Sequence, residues 1–235
     1  MIKKNLKVLI ITSIIILLPM VAGLVLWNRL PDEVPFHWNA SGEIDGWASK
    51  GVAVFVPSAM MLALQWLCMV VTSADPKKQN HPEKVMHLVF WLIPIITVFI
   101  SALMYVSALG VSVRVETLMP ILLGLVFVAI GNYMPKCKQN YTIGIKIPWT
   151  LASEENWNRT HRFAGWVWVG GGVVMLLSGF LGIFWLTLVP AIIMAAVPLI
   201  YSYILHKKRY LSKKAPALVP IERGRVFIYF QALGW

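Results

Sequence analysis

Six long apolar stretches without a charged side chain are the feature that most constrains this chain. A bilayer span needs roughly 20 apolar residues, and a charge at its centre costs at least about 2.5 kcal/mol. The stretches cover residues 8–27, 52–73, 88–110, 118–134, 165–184 and 188–205. Because they are continuous rather than alternating, they predict an all-α polytopic membrane protein with about six transmembrane helices, not a barrel.

Composition agrees with lipid as the main solvent. Hydrophobic residues make up 58% of the 235 residues and charged residues 13%, whereas soluble domains have about 45–50% and about 25%. The least distinct boundary is the break between the last two stretches, at Trp185-Leu186-Thr187. The first stretch ends without a small-residue cleavage site, so we expect it to be a retained helix and not a signal peptide.

Basic residues predict the orientation. With six spans, eighteen of the 21 Lys and Arg residues fall on one side of the membrane, which the positive-inside rule makes cytoplasmic. Both termini are therefore expected in the cytoplasm of a bacterial-type cell membrane. The net charge of +11 is explained by orientation and by contact with anionic lipid headgroups, so direct nucleic-acid binding is not expected.

The predicted extracytoplasmic connection, about residues 28–51, combines turn-forming residues with aromatic ones. Phe36, Trp38 and Trp47 lie at a water-facing position, where they would bind a partner or form an aromatic belt at the headgroups. His37 with Asp45 or Glu43 is a candidate metal or proton site. One histidine and loosely spaced acids are weak support for such a site, so we predict no metal.

The predicted cytoplasmic connection, residues 135–164, indicates an amphipathic helix that runs directly into the fifth span. Ser153 is a favourable N-cap, followed by two glutamates in the first turn. Residues of one helix face then follow at spacings of three and four: Trp157, His161, Ala164 and Trp168. Arg159 and Arg162 suit lipid phosphates or an acidic partner; alternatively, the helix packs only on the membrane surface and its neighbours.

These two connections resemble a known pair of domains. The cytoplasmic connection is similar to the signature of the SdpI family of bacterial immunity proteins, through Gly131, Asn132, Asn140, Gly144, Ile145, Lys146, Pro148, Trp149, Thr150, Leu151, Glu154, Trp157, Thr160, His161 and Arg162. The outer connection resembles the domain of unknown function that often precedes it, through Leu30, Pro31, Pro35, His37, Trp38, Gly42, Gly46 and Lys50. One departure is Lys146, where the family often has arginine, which alone makes a bidentate fork to a carboxylate.

The resemblance implies a membrane immunity protein that confers resistance to a secreted peptide toxin. It also implies a receptor that holds an ArsR-type autorepressor at the membrane when toxin is engaged. The implied toxin-facing residues are Pro31, Pro35, His37, Trp38, Gly42, Asp45 and Gly46. The implied repressor-binding residues are Asn132, Asn140, Gly144, Lys146, Pro148, Trp149, Thr150, Glu154, Trp157, Thr160, His161 and Arg162.

The expected domain organisation follows from the resemblance and the spans. Residues 1–117 form an amino-terminal membrane domain with three helices, and residues 118–206 an SdpI-like membrane domain with three more. Residues 207–235 form a basic tail whose end is a surface-lying segment, a natural extension or a cloning remnant.

Two other functions remain as alternatives. A transporter or exporter of a small molecule or peptide would normally show charged or broken-helix features at membrane depth, and only Gln65 and prolines occur there. An intramembrane enzyme needs clustered titratable groups, but His37 and His161 are predicted on opposite faces. We therefore expect neither catalysis nor a cofactor.

Overall fold

The computed structural model describes residues 2–183 and 185–214. Within that part, six helices are long and apolar enough to cross a membrane. The helices are α1 (Ile2–Val25), α2 (Lys50–Ala74), α3 (Glu83–Ala108), α4 (Val115–Tyr133), the single turn α5 (Pro148–Leu151), α6 (Glu154–Leu181) and α7 (Trp185–Lys214). The prediction of a helical polytopic membrane protein with six spans is confirmed.

Two helix boundaries differ from those of the apolar stretches. The hydroxyl of Ser153 accepts a hydrogen bond from the Asn156 N–H at 3.2 Å, so α6 includes the predicted amphipathic helix. It ends before Gly182, whose φ of 66° stops a helix. Since α7 already begins at Trp185, the predicted break at Trp185-Leu186-Thr187 was too late. Helix α7 continues through the first basic residues of the tail, and the predictions for residues 215–235 lie outside the described residues.

The outer connection contains an unpredicted β-hairpin, formed by β1 (Glu33–Trp38) and β2 (Ile44–Ser49). Register shifts on either side of His37 and a proline in β1 obscure the alternating pattern that reveals a strand. Val34 is fully buried with Val54 of α2 and Met104 of α3. The hairpin is therefore seated on the helices. We call this end of the bundle the outer end, and the opposite end, which carries α5, the inner end.

The six long helices pack in two groups of three. Helices α1, α2 and α3 contact one another, and α6 packs between α4 and α7. Gln65 of α2 is the buried polar link of the first group: its amide NH₂ donates to the hydroxyls of Thr12 and Ser13 of α1, at 2.9 and 3.1 Å. Such hydrogen bonds join helices in lipid, where water cannot satisfy the polar groups.

Glycines bring α4 and α6 into backbone contact. A Cβ atom on Gly124 would lie 2.6 Å from the Gly172 carbonyl oxygen, and one on Gly131 would lie 2.9 Å from that of Gly165. A Cβ on Gly179 would likewise meet the carbonyl oxygen of Thr117 at 2.6 Å. The contacts repeat every seven residues along both antiparallel helices, so this interface has no room for a larger residue on either side.

Candidate functional sites

The motif loop, which we define as residues 134–153, connects α4 to α6 at the inner end. Asn140 organises its centre from a fully buried position. Its side-chain oxygen accepts from the backbone N–H groups of Thr142 and Ile143, at 2.9 and 2.7 Å. Its NH₂ group donates to the carbonyls of Lys138 and Ile143. Four backbone groups of an irregular segment thus depend on one side chain.

His161 and Trp157 hold the second part of the loop from α6. The indole N–H of Trp157 donates to the Cys137 carbonyl at 2.7 Å, and the two rings stack with centroids 4.1 Å apart. The Ile145 N–H donates to Nε2 of His161 at 2.9 Å, while Nδ1 lies 2.8 Å from the Trp157 carbonyl. This pattern requires a neutral imidazole with its proton on Nδ1. Gly144, with φ 118°, leaves no space for a Cβ beside Nε2.

Thr150 and Gln139 close the loop around α5. The Thr150 hydroxyl bonds the Ile145 carbonyl at 2.8 Å and accepts from the Ile147 N–H at 3.1 Å. The Gln139 amide donates to the carbonyls of Thr150 and Leu151, both at 2.9 Å. These bonds add side-chain partners to the carbonyls at the end of this four-residue helix.

The motif loop is also fixed to the connection between α2 and α3 through Asp75. Its buried carboxylate accepts from the backbone N–H groups of Lys77 and Tyr141, at 2.7 and 3.0 Å, and from the Thr142 hydroxyl at 2.9 Å. Nε2 of His81 lies 3.2 Å from the same carboxylate. Burial acts to raise the pKa of Asp75, but these hydrogen bonds to the charged form outweigh it, so the pKa lies below its usual value.

Asn156 joins the start of α6 to α7. Its side-chain oxygen accepts from the hydroxyls of Ser202 and Thr160, at 2.7 and 2.9 Å, and its NH₂ donates to the Ser202 carbonyl at 3.0 Å. All three residues are buried. Asn156 was not among the predicted site residues, although its spacing of four from Thr160 on one helix face is a usable signal.

The predicted partner-binding residues separate into two groups by exposure. Five are buried and hold the loop or α6 in place: Asn140, Thr150, Trp157, Thr160 and His161. The solvent-exposed members are Asn132, Gly144, Lys146, Pro148, Glu154 and Arg162, and Trp149 is half-buried. Lys146 donates to the Thr142 carbonyl at 2.8 Å, so this lysine contacts backbone oxygen and not a carboxylate.

At the outer end, the hairpin collects the predicted toxin-facing residues. Nδ1 of His37 lies 2.5 Å from the Asp45 carboxylate, and both side chains are exposed. Pro31 is exposed, Pro35 is buried, and Trp38, Gly42 and Gly46 are half-buried. Gly42, at the turn, has φ 81°. Among the described residues, no group of three or more His, Cys, Asp or Glu side chains could hold a metal ion.

A cavity of about 440 Å³ lies beside the hairpin and joins the two halves of the chain. The hairpin contributes His37, Trp38, Asn39 and Ala40. The remaining lining residues come from the outer ends of α4, α6 and α7: Val115, Glu116, Met119, Pro120, Leu123, Ser178, Gly182, Ile183 and Thr187. No local pattern marks these positions, because only the fold brings them to the hairpin.

The architecture defines a class of protein: a multi-pass membrane protein with a structured loop at one end and a hairpin-bordered cavity at the other. Comparison with known proteins shows what the chain is similar to. Residues 136–202 match the SdpI/YfhL protein family, and residues 14–62 match the domain of unknown function DUF1648. The resemblance to the SdpI family, and to the domain of unknown function that precedes it, is confirmed by these two matches.

A curated relative agrees with this resemblance. The chain is 27% identical over 213 residues to the immunity protein SdpI of Bacillus subtilis (strain 168), covering 88% of this chain and 97% of that protein. No solved structure matches the chain. The relative and the six apolar helices identify a multi-pass cell-membrane protein.

Proposed function

We propose that this protein gives the cell that carries it immunity to a secreted peptide toxin, and that the toxin is recognised at the outer cavity. The observation that carries the proposal is that both family-matched halves line this one cavity. The similarity to an immunity protein along nearly its whole length supports the same function.

The cavity has the chemistry to hold side chains of a peptide. Trp38, Met119 and Leu123 give it apolar lining, and Glu116 and His37 add polar groups. Ligand pockets typically have volumes of about 300–1,000 Å³. A cavity of about 440 Å³ would take one or two apolar side chains, with Glu116 placed to pair with a basic group.

A protection assay on sensitive cells tests this function. Cells that express the protein should survive the peptide toxin secreted by the strain that carries the gene. Leu123→Trp fills the cavity and should restore sensitivity, whereas Leu125→Trp, on an exposed face of the same helix, should still protect. Absence of protection by the unaltered protein would refute immunity, and equal protection by the two variants would refute the cavity as the recognition site.

We further propose that the motif loop recruits an ArsR-type autorepressor to the cytoplasmic face when the toxin is bound. The buried residues would fix the shape of the loop, and the exposed Lys146, Pro148 and Arg162 would contact the repressor. Lys146→Glu should abolish recruitment of a fluorescent repressor to the membrane, while Lys138→Glu, an exposed charge reversal in the same loop, should not. Equal recruitment by both variants would remove Lys146 from the interface.

The proposed arrangement requires the motif loop to face the cytoplasm. A cysteine at Ser41 in the hairpin should react with an impermeant maleimide added to intact cells. A cysteine at Lys146 should react only after the membrane is permeabilised. Labelling of Lys146→Cys in intact cells would show that the motif loop faces outward. The roles proposed for the outer cavity and for the motif loop would then both be wrong.

A further inference from the structure

A second cavity, of about 620 Å³, lies at the inner end between the start of α6 and the end of α7. Its lining residues are Trp149, Ala152, Ser153, Glu155, Asn156, Arg159, Tyr201, Ile204, Leu205, His206, Lys208, Arg209, Tyr210 and Ser212. The outer cavity, and the residues Lys146, Pro148 and Arg162 proposed to contact the repressor, lie outside this space. Its chemistry is different from that of the outer cavity.

The cavity is positively charged. Arg159, Lys208 and Arg209 line it, and the one carboxylate in the lining, Glu155, lies 3.4 Å from Arg159. Lys208 and Arg209 form no ion pair with any carboxylate in the described part of the chain, and Arg209 instead donates to the Ser153 hydroxyl. Two cations therefore remain without a neutralising partner on the wall of a concave site.

The aromatic wall of the cavity carries a polar atom that lacks a partner. Trp149 stacks on His206 with ring centroids 5.9 Å apart and an interplanar angle of 26°. The indole N–H of Trp149 is completely buried, and no acceptor among the described residues bonds it. A buried N–H without an acceptor is destabilising, so an oxygen-bearing ligand beside Trp149 would supply the missing hydrogen bond.

The position of the cavity indicates where that ligand comes from. Tyr201, Ile204 and Leu205 line the side toward the apolar part of α7, and the cations follow within the next turn. Neighbouring side chains on the outer face of α7, Ile200 and Tyr203, are exposed. This change from apolar to basic marks the depth at which phospholipid headgroups lie.

We propose that the inner cavity binds the phosphate of an anionic phospholipid headgroup. Lys208 and Arg209 would bond the phosphate oxygens, the Trp149 N–H would donate to a headgroup oxygen, and the acyl chains would lie along the exposed apolar face of α7. Basic pockets between membrane helices bind such headgroups. Because Trp149 and Ser153 belong to the motif loop, the lipid would contact the segment that ends at α6.

Native mass spectrometry of the full chain, released from detergent micelles, tests the proposal with dioctanoyl phosphatidylglycerol as the probe. One phosphatidylglycerol molecule should bind. Dioctanoyl phosphatidylcholine has no net charge, so it should bind more weakly, by about fivefold for each of the two unpaired cations, Lys208 and Arg209. Lys208→Gln and Arg209→Gln should each weaken phosphatidylglycerol binding by about fivefold. Trp149→Phe, which keeps the ring and removes the donor, should also weaken it.

Lys207→Gln is the matched control, since it removes the same charge from an exposed neighbour that does not line the cavity. Equal binding of the two lipids, or an equal loss with Lys207→Gln, would overturn the site. Displacement of the lipid by an equal concentration of inorganic phosphate would show that the cavity takes free phosphate, which would overturn the lipid assignment. Unchanged thermal unfolding without lipid would show that the variants fold.

Discussion

Helices α1–α3 meet through side chains, whereas α4 and α6 meet through backbone. The atoms nearest to a Cβ on Gly23 of α1 would be side-chain atoms, of Val54 and Tyr105. The equivalent atom on Gly124 or Gly172 would contact a carbonyl oxygen of the opposite helix. Side chains change rotamer at a modest energy, but two helix backbones can separate only as whole bodies.

The connections of the two halves differ in the same way. The turn of the hairpin in the first half is stabilised locally, since its Asn39 bonds residues within the turn, such as Ser41 and Glu43. The motif loop of the second half depends on Asp75, which lies 66 residues earlier in the chain than Tyr141. The second half is therefore the rigid, interdependent part of the molecule, and the first half is the adaptable part.

The largest expected effect is at the glycine contact. Gly172→Leu should destabilise the protein by about 3 kcal/mol, because the new side chain meets the backbone of α4, which cannot move aside. Gly170→Leu is the matched control, since a Cβ there meets nothing within 4 Å. Unfolding in detergent micelles measures the stability of both variants. Equal losses of stability would show that the backbone contact between α4 and α6 does not determine the effect.

Asn140→Ala should have the next largest effect, about 2 kcal/mol, since four backbone groups of the motif loop lose their partner. Burial keeps Cys137 unreactive and raises the pKa of its thiol to about 11. The variant should therefore increase maleimide labelling of Cys137 in a Cys68→Ala background. Asn39→Ala, in the solvated hairpin turn, should leave that labelling unchanged; increased labelling in both variants would mean that the two connections are coupled.

The stability that Asp75 gives to the motif loop should depend on pH. The pKa of Asp75 is lower in the folded protein than its unfolded value of about 3.9. The carboxylate therefore contributes stability above that value, and the contribution is lost as pH falls through the folded pKa. Thermal unfolding between pH 6 and about pH 3 should show this loss in the unaltered protein and a smaller one in Asp75→Asn. The same loss of stability with falling pH in both proteins would show that other carboxylates cause the loss.

The smallest expected effect is at the exposed pair of the hairpin. His37→Ala should change the free energy of unfolding by less than about 1 kcal/mol, because both members of the His37–Asp45 pair are solvated. If the proposed function holds, the same variant should reduce protection from the toxin. A large loss of stability would show that the hairpin is as rigid as the second half, so the two halves would not differ in this respect.

The six spans were predictable because hydrocarbon excludes charge, and the start of α6 because Ser153 is a strong cap. The hairpin was missed because Pro35 and two register shifts break its alternation. The resemblance identified the residues of the motif loop but not their burial. The contact between Asp75 and Tyr141, the glycine contacts and both cavities arise from packing between distant segments, for which a single sequence carries no local signal.

Helix α6 extends without interruption from the motif loop to the rim of the outer cavity. Its 28 residues span about 42 Å, with His161 near one end and Ser178 near the other. The glycines along this helix hold its backbone against that of α4, and turning the helix about its axis would force bulkier side chains into the neighbouring backbone. A ligand that displaced the outer end would thus move the inner end in register, as one stiff rod.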